Sequence, residues 1–272
     1  MSDVENLIDT LALERIEVNL FRGVAPANQG PRIFGGHVIA QALLAAYRTV
    51  EERICHSLHC YFIRPGDPSV PILFEVDRAR DGKSFTTRRV TAIQHGQQIF
   101  NLAASFQVVE AGLEHQEPMP DVARPEALAD DPAEGGWRRA IEMRWIDARD
   151  IATPKPGPPV QQSWMRALAP LPDDLPFQQA VLAYASDMSL LSTSMRPHGV
   201  NWRTQGLQTA SLDHAIWFHR PSNFNDWHLY SQRSPSASGA RGFNLGEIYN
   251  IDGRLVASTA QEGLMRHRQP AG

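Results

Sequence analysis

"SLHCYFIRPGDPSVPILFEVDRARDGKSFTTRRVTAIQHGQQIFNLAASFQ", residues 57–107, decides how this chain is built, because the stretch has an echo. Sliding it along the sequence finds that echo from Asp213 onward, where Arg64 and Pro65 fall on Arg220 and Pro221, an offset of 156 positions (220 − 64). The same offset sets Leu73 on Leu229, Phe74 on Tyr230, Ile99 on Leu255 and Ala104 on Ala260, with no gap. Identities are few, but a constant register over about fifty residues marks a duplicated unit.

Each copy reads as short apolar runs rich in β-branched and aromatic residues, punctuated by Gly, Pro, Asp and Asn. The first copy holds "HCYFI", "ILFEV", "TTRRVTAI" and "QIFNLAASF", and the second "AIWFH", "WHLYSQ", "GFNLGEIYNI" and "RLVASTA". Each is expected to form a meander of antiparallel strands. One helical segment precedes each meander: "GGHVIAQALLAAYRTV" (35–50), with Val38, Gln41, Ala42, Ala45 and Ala46 at helical spacing, and "PFQQAVLAYASDMSLLST" (176–193). Between the halves, "EHQEPMPDVARPEALADDPAEGG" (114–136) is acidic, Pro-rich and without period, which reads as an exposed linker. The expected organisation is residues 1–113, a linker over 114–136, and residues 137–272, with a second Pro-rich stretch, "ATPKPGPPV", interrupting the second half.

Composition narrows the function classes. A chain of 272 residues, 42% hydrophobic, has enough apolar material for one large core or two ordinary ones. A net charge of −4 and a pI near 6.2, with Lys and Arg scattered, give no footprint for nucleic acid or an anionic membrane. The start carries acids where a signal peptide needs a basic region, and the best apolar run, "HVIAQALLAAY", is broken by Gln41 and too short for a bilayer. The ending "HRQPAG" lacks a peroxisomal signal, so a cytoplasmic location is expected. Two cysteines exclude a disulfide framework. They lie in "CHSLHC", where strand alternation would set Cys55 with His59 on one face and His56 with Cys60 on the other, so one tetrahedral zinc site is not expected.

A long helix wrapped by an antiparallel sheet, twice in one chain, is how a hot-dog fold would look in sequence. The strings "YASDMSLL", "ASLDHAIWFHRP", "SASGARGF" and "LVASTAQEGLMR", with "FGGHVIAQAL" and "SLHCYFIRPGD" in the first half, resemble the acyl-CoA thioesterase II family. Several motifs in order, from about Leu20 to Arg266, make the resemblance specific. It implies an α+β double hot-dog, two antiparallel sheets each wrapped around a long helix. It also implies hydrolysis of medium- to long-chain fatty acyl-CoA to free fatty acid and CoA, with no cofactor and no metal. In that family a water is held between an Asp, a Thr or Ser, and a Gln. By motif these fall on Asp187 of "YASD", Ser211 of "ASLDH" and Gln261 of "STAQEG". Many members carry Thr where this chain has Ser211, and the role needs only a hydroxyl. The acyl chain is expected in an apolar tunnel between helix and sheet, and the protein is expected to be a homo-oligomer, a dimer or tetramer.

The residues themselves leave alternatives open at each position. Asp187 is the only charged residue from Ala180 to Leu191, and a carboxylate on so apolar a segment is costly unless hydrogen bonds or chemistry retain it. A helix N-cap restarting a turn at "DMSLL" is the competing reading. Gln261 ends a face of small and apolar residues, Leu255, Ala257 and Thr259, where it reads either as a group that orients a water or as an edge-strand amide bonded to backbone. Ser211 reads also as a strand-end hydroxyl making a local turn, the commoner case for such a residue.

Ser211, Asp213 and His214 tempt a triad reading, but if they share one strand, Ser211 and Asp213 occupy one face and His214 the other. His59, His214 and His219 each lie in an aromatic strand, where a packed histidine is the commoner case. No G-x-S-x-G elbow occurs, which argues against an α/β-hydrolase. A hot-dog hydratase or dehydratase working through a His and an acid, and a non-catalytic acyl-CoA binding protein, are the alternative functions.

Overall fold

The computed structural model describes residues 3–26, 30–129, 140–147 and 150–267. The first half contains α1 (Asp3–Leu11), β1 (Glu14–Glu17), β2 (Leu20–Gly23), α2 (Gly35–Tyr47), β3 (Ile54–Phe62), β4 (Ile72–Asp81), β5 (Phe85–Gln94) and β6 (Gln97–Gln107). The second contains β7 (Ile141–Trp145), β8 (Val160–Ala167), α3 (Leu175–Ser186), α4 (Ser192–Met195), β9 (Leu207–Ser211), β10 (Asp213–Phe218), β11 (His228–Ser238), β12 (Arg241–Asn250) and β13 (Leu255–His267). Both expected helices and all eight expected strands are present, but only β4–β5–β6 and β11–β12–β13 are meanders: β3 and β10 pair with β6 and β13 rather than with the strands that follow them, because each must cross over the helix side to reach its partner. The second helix stops at Ser186, and residues 187–191 form turns before α4.

Two antiparallel sheets were expected, but the described strands form one antiparallel sheet in the order β1-β2-β4-β5-β6-β3-β10-β13-β12-β11-β8-β7, with β9 on β13. The halves are fused where β3 meets β10, from Asp213 opposite Tyr61 to Trp217 opposite Ser57. The physical reason is edge pairing. Each half alone would leave one long strand with unpaired N–H and C=O groups, and each supplies the partner for the other.

The duplication extends to the irregularities. A bulge follows Asp77 in the β4–β5 ladder and Arg233 in the β11–β12 ladder, and 233 − 77 is again 156. The last strand of each half departs from that offset. Ile63 and Arg64 both donate to Ile99 O, whereas His219 and Arg220 both donate to Val256 O, so Ile99 matches Val256 (256 − 99 = 157). Ala104 accordingly matches Gln261, not Ala260 as the ungapped alignment has it. The cause is one extra residue in the β12–β13 turn, where Asn250 Oδ1 accepts from Asp252 N and Arg254 N.

The two central helices run antiparallel against each other inside the sheet. α2 is buried from Gly36 to Leu43 and from Ala45 to Tyr47, all round its circumference, as a helix enclosed by sheet and helix should be. Gly36 packs on the carbonyl of Tyr184, so that any Cβ there would collide with it. The start of α2 is thereby held against the end of α3. Asp174 caps α3 by accepting from Phe177 N (3.1 Å), and Pro176 sits in its first turn.

The described part of the expected linker is mostly exposed and is also docked on the second half. Met119, Val122 and Leu128 pack on Trp164, Trp227, Leu229 and Tyr249, on the outer face of the second half. Gln116 Nε2 donates to Gly253 O (2.8 Å), Arg124 Nη1 to Ile251 O (2.9 Å), and Trp164 Nε1 to Ala123 O (2.9 Å). Each apolar residue between the prolines docks singly, so the segment needs no period to be ordered; residues 130–136 lie outside the described residues. "CHSLHC" also differs from strict alternation, because a bulge between Cys55 and Ser57 turns both cysteines inward. His56 bonds Ser105 Oγ (2.8 Å) and the exposed His59 packs edge-on against Trp217. The four side chains do not converge.

Candidate active site

The fused sheet and paired helices bring three distant segments to one point. Asp187 is the residue at which α3 ends, a C-cap and not the N-cap that the sequence left open. Its side chain is buried. Gln261, on the inner face of β13, donates through Nε2 to Asp187 Oδ1 at 2.6 Å. Ser211, the last residue of β9, donates through Oγ to the same oxygen at 3.4 Å. The backbone N–H of Gly36 at the start of α2 also bonds the carboxylate.

These contacts set the titration of the carboxyl. Burial disfavours the charged form and pushes Asp187 up to about 7, while the bonds from Gln261, Gly36 and Ser211 restrain the rise. A carboxyl poised there gives up and takes back a proton near neutral pH, which is what a general base needs. Gln261 Oε1 is buried with no partner among the described residues. The amide therefore gives its N–H to the carboxylate and presents a bare acceptor beside it.

Two glycines missing from the sequence-based candidates shape this point. A Cβ on Gly35 would stand 2.7 Å from Asp187 Oδ2 and 2.8 Å from Phe62 Cε1, so only glycine lets the helix start approach the carboxylate. The available signal was "FGGH" opening an apolar helix, since glycines at a helix start mark close approach to its free N–H groups.

The tempting triad does not assemble. β9 and β10 both pair with β13, Ser211 opposite Gly263 and Ala215 opposite Ala260, so a one-residue bulge at Leu212 breaks the expected alternation and turns Ser211 and His214, not Ser211 and Asp213, inward. Asp213 Oδ1 accepts from Glu262 N (2.7 Å). His214 points inward to Ser186 Oγ (2.9 Å), which itself donates to Ala183 O, so the histidine is the donor through Nε2. Burial lowers His214 to about 3, leaving it neutral. His219 bonds Ser258 Oγ (2.9 Å), and His59 faces outward. None of these three bonds Asp187, and the His–acid pair that a hydratase would need is not formed by them.

The first half lacks the same constellation at its equivalent point. Ser211 corresponds to Cys55 (211 − 156) and Gln261 to Ala104 (261 − 157). At the end of α2 stands Tyr47, whose hydroxyl accepts from Cys55 N (2.7 Å) and donates to Gln179 Oε1. Burial pushes that phenol up, so it stays neutral. Duplication of the fold has not duplicated the carboxylate.

A family model described as acyl-CoA thioesterase matches residues 140–264, and one described as the acyl-CoA thioesterase N-terminal domain matches residues 24–107. The chain is 40% identical to acyl-CoA thioesterase 2 of Haemophilus influenzae, over 98% of this chain and 99% of that one. Among solved structures, the acyl-CoA thioesterase II TesB2 of Mycobacterium marinum superposes with a TM-score of 0.85 at 43% identity, covering 97% of this chain and 99% of that one. A hot-dog protein of Alicyclobacillus acidocaldarius superposes with a TM-score of 0.81 at 22% identity, over 97% and 99% of the two chains, which shows a shared fold.

Proposed function

The chain belongs to the acyl-CoA thioesterase II family and is an acyl-CoA thioester hydrolase, and from that premise we propose that it cleaves medium- to long-chain fatty acyl-CoA by direct attack of a water held by Asp187, Ser211 and Gln261. The water oxygen adds to the thioester carbonyl carbon as its proton passes to Asp187. The N-terminal turn of α2 lends its positive end to the carbonyl oxygen. The tetrahedral intermediate then expels the CoA sulfur, which takes the proton back from Asp187, and free acid and CoA leave with the carboxylate restored. A thioester is an activated acyl group, so the scheme uses neither covalent intermediate nor cofactor.

The observation that carries this reading is a single buried carboxyl, raised to about 7 and hydrogen-bonded by an amide and a hydroxyl from two other strands. Such a group is expensive to keep unless it works. We read the fold as two hot-dog units, residues 1–113 and 137–272 joined by 114–136, each curling its part of the common sheet around its own helix, with the acyl chain between helix and sheet. The shared strand register supports this reading, as do the apolar inner faces of β4, β5 and β6. The protein is further proposed to act in the cytoplasm as a homo-oligomer, which light scattering on the purified protein checks. The test of function is release of free thiol from saturated acyl-CoAs of graded length, with and without chelator. Release favouring medium or long chains and indifferent to chelator is expected; binding without release identifies a non-catalytic binding protein instead.

A further inference from the structure

A second polar cluster lies deeper in the same half, touching neither Ser211 nor Gln261. Gln161 of β8 and Gln232 of β11 are cross-strand partners with both side chains buried on the inner face of the sheet. Gln161 Nε2 lies within bonding distance of Ser189 O (2.9 Å), Ser192 Oγ (2.9 Å), Thr193 Oγ1 (2.8 Å) and Gln232 Oε1 (2.6 Å), four acceptors for its two hydrogens. Gln232 Nε2 donates to Ser189 Oγ (2.6 Å), and Thr193 Oγ1 donates to Gln232 Oε1 (2.9 Å). The two amides thus grip Ser189 in the turns that follow α3 and Ser192 and Thr193 at the start of α4.

The internal repeat shows what this cluster is not for. Gln232 corresponds to Val76 (232 − 156), a buried aliphatic residue, so the fold itself needs no amide at that place. The floor beneath the turns differs as well: Gly242 corresponds to Thr86 (242 − 156) and Gly263 to Phe106 (263 − 157). Without side chains, Gly242 and Gly263 let Ser194 and Leu191 lie directly on the sheet. In the first half α2 passes to β3 through residues 48–53 alone, whereas residues 187–206 separate α3 from β9. Polar pair, glycine floor and added turns occur together, and only in the half that carries the carboxylate. Buried amides are costly unless fully bonded, and a saturated network fixes one geometry.

We propose that Gln161 and Gln232 are positioning residues, which lock the turns after α3 onto the sheet and so aim the Asp187 carboxylate at Gln261 and Ser211. The proposal rests on Asp187 being the base. Its test compares Gln232→Met, which keeps the bulk and removes both hydrogen-bonding ends, with Ser189→Ala and Asp187→Asn in steady-state kinetics, pH profiles and melting. Gln232→Met is expected to lower kcat by about 10- to 100-fold with KM within about twofold, because small misplacement of a reacting group costs that much. It should also move the midpoint of the acid limb of kcat/KM. Ser189→Ala is expected to show the same split to a smaller degree, and it decides the matter if Gln232→Met does not fold. Wild-type kcat and midpoint in both variants, with only the melting temperature lowered, overturns the proposal. If Asp187→Asn itself keeps full turnover, the catalytic reading fails and this one with it; if Asp187→Asn is inactive and Gln232→Met fully active, only the clamp is lost.

Discussion

Replacing Asp187 by Asn should make the protein slower and, at alkaline pH, more stable. Burial moves this carboxyl from 3.8 to about 7. That is about 3 pH units, or roughly 4 kcal/mol by which the ionised group opposes folding above pH 7. Between these values the folded chain holds a proton that the unfolded chain has released, so stability falls as pH rises from about 4 to about 7. Asn has the same shape and no charge to desolvate. It forfeits part of the bonding from Gln261, Ser211 and Gly36, about 1–2 kcal/mol. A net gain of roughly 2 kcal/mol is expected at pH 8, and the difference between the two proteins should shift by roughly 2–3 kcal/mol in favour of wild type at pH 5. The neighbours do not disturb the comparison. Burial pushes Tyr184, Tyr230, Cys60 and Asp213 upward and His37, His214 and His228 downward; the Asp187 charge adds to the push on Tyr184, Tyr230 and Cys60, but these stay protonated at pH 5 and pH 8 with or without it. Thermal unfolding of both proteins at pH 5 and pH 8, alongside thiol release, makes the measurement. Turnover should fall about 10²- to 10⁴-fold. Unchanged turnover with equal loss of stability at both pH values would refute the reasoning and leave Asp187 as a helix cap.

Gln261→Ala and Ser211→Ala should each cost about one to two orders of magnitude in kcat, less than Asp187→Asn, while Ser211→Thr keeps the hydroxyl and stays active in the thiol-release assay. Gly35→Ala sets a methyl 2.7 Å from Asp187 Oδ2 and should lower activity with a stability loss of about 1–3 kcal/mol, read by melting and kinetics together. Residues 1–120 and 130–272 expressed separately should aggregate or associate without activity, because each loses its partner across the β3–β10 seam; a soluble, active second half contradicts the shared sheet.

Much of this was legible in the sequence. Helical and strand periods gave both long helices and the strands of both halves, though not that β3 and β10 pair with β6 and β13, while Asp187 read as either a working carboxylate or a helix cap until the family resemblance singled it out. What failed was long-range or aperiodic. No period reports which strand pairs with which, so the fusion of β3 with β10 was invisible and two sheets were expected. One residue added to the β12–β13 turn was enough to misplace Ala104 against Ala260 and hide its match to Gln261. That the exposed segment 114–129 also docks on the second half was not legible, because a strap that docks one side chain at a time has no repeat. Ser211 and Asp213 were expected on one face because a one-residue bulge at Leu212, which shifts the alternation and brings Ser211 and His214 inward, carries no Gly or Pro to announce it.

In the proposed scheme a water, not a side chain, attacks the thioester. Rapid mixing of the enzyme with excess acyl-CoA, followed in time by thiol release and intact mass, tests that directly. Among the described residues Ser211 Oγ bonds no base but the carboxylate it shares with Gln261, so release should be linear from the first turnover and the protein mass unchanged. A burst of CoA equal to the enzyme present, with an acyl adduct mapped to Ser211, would contradict the account.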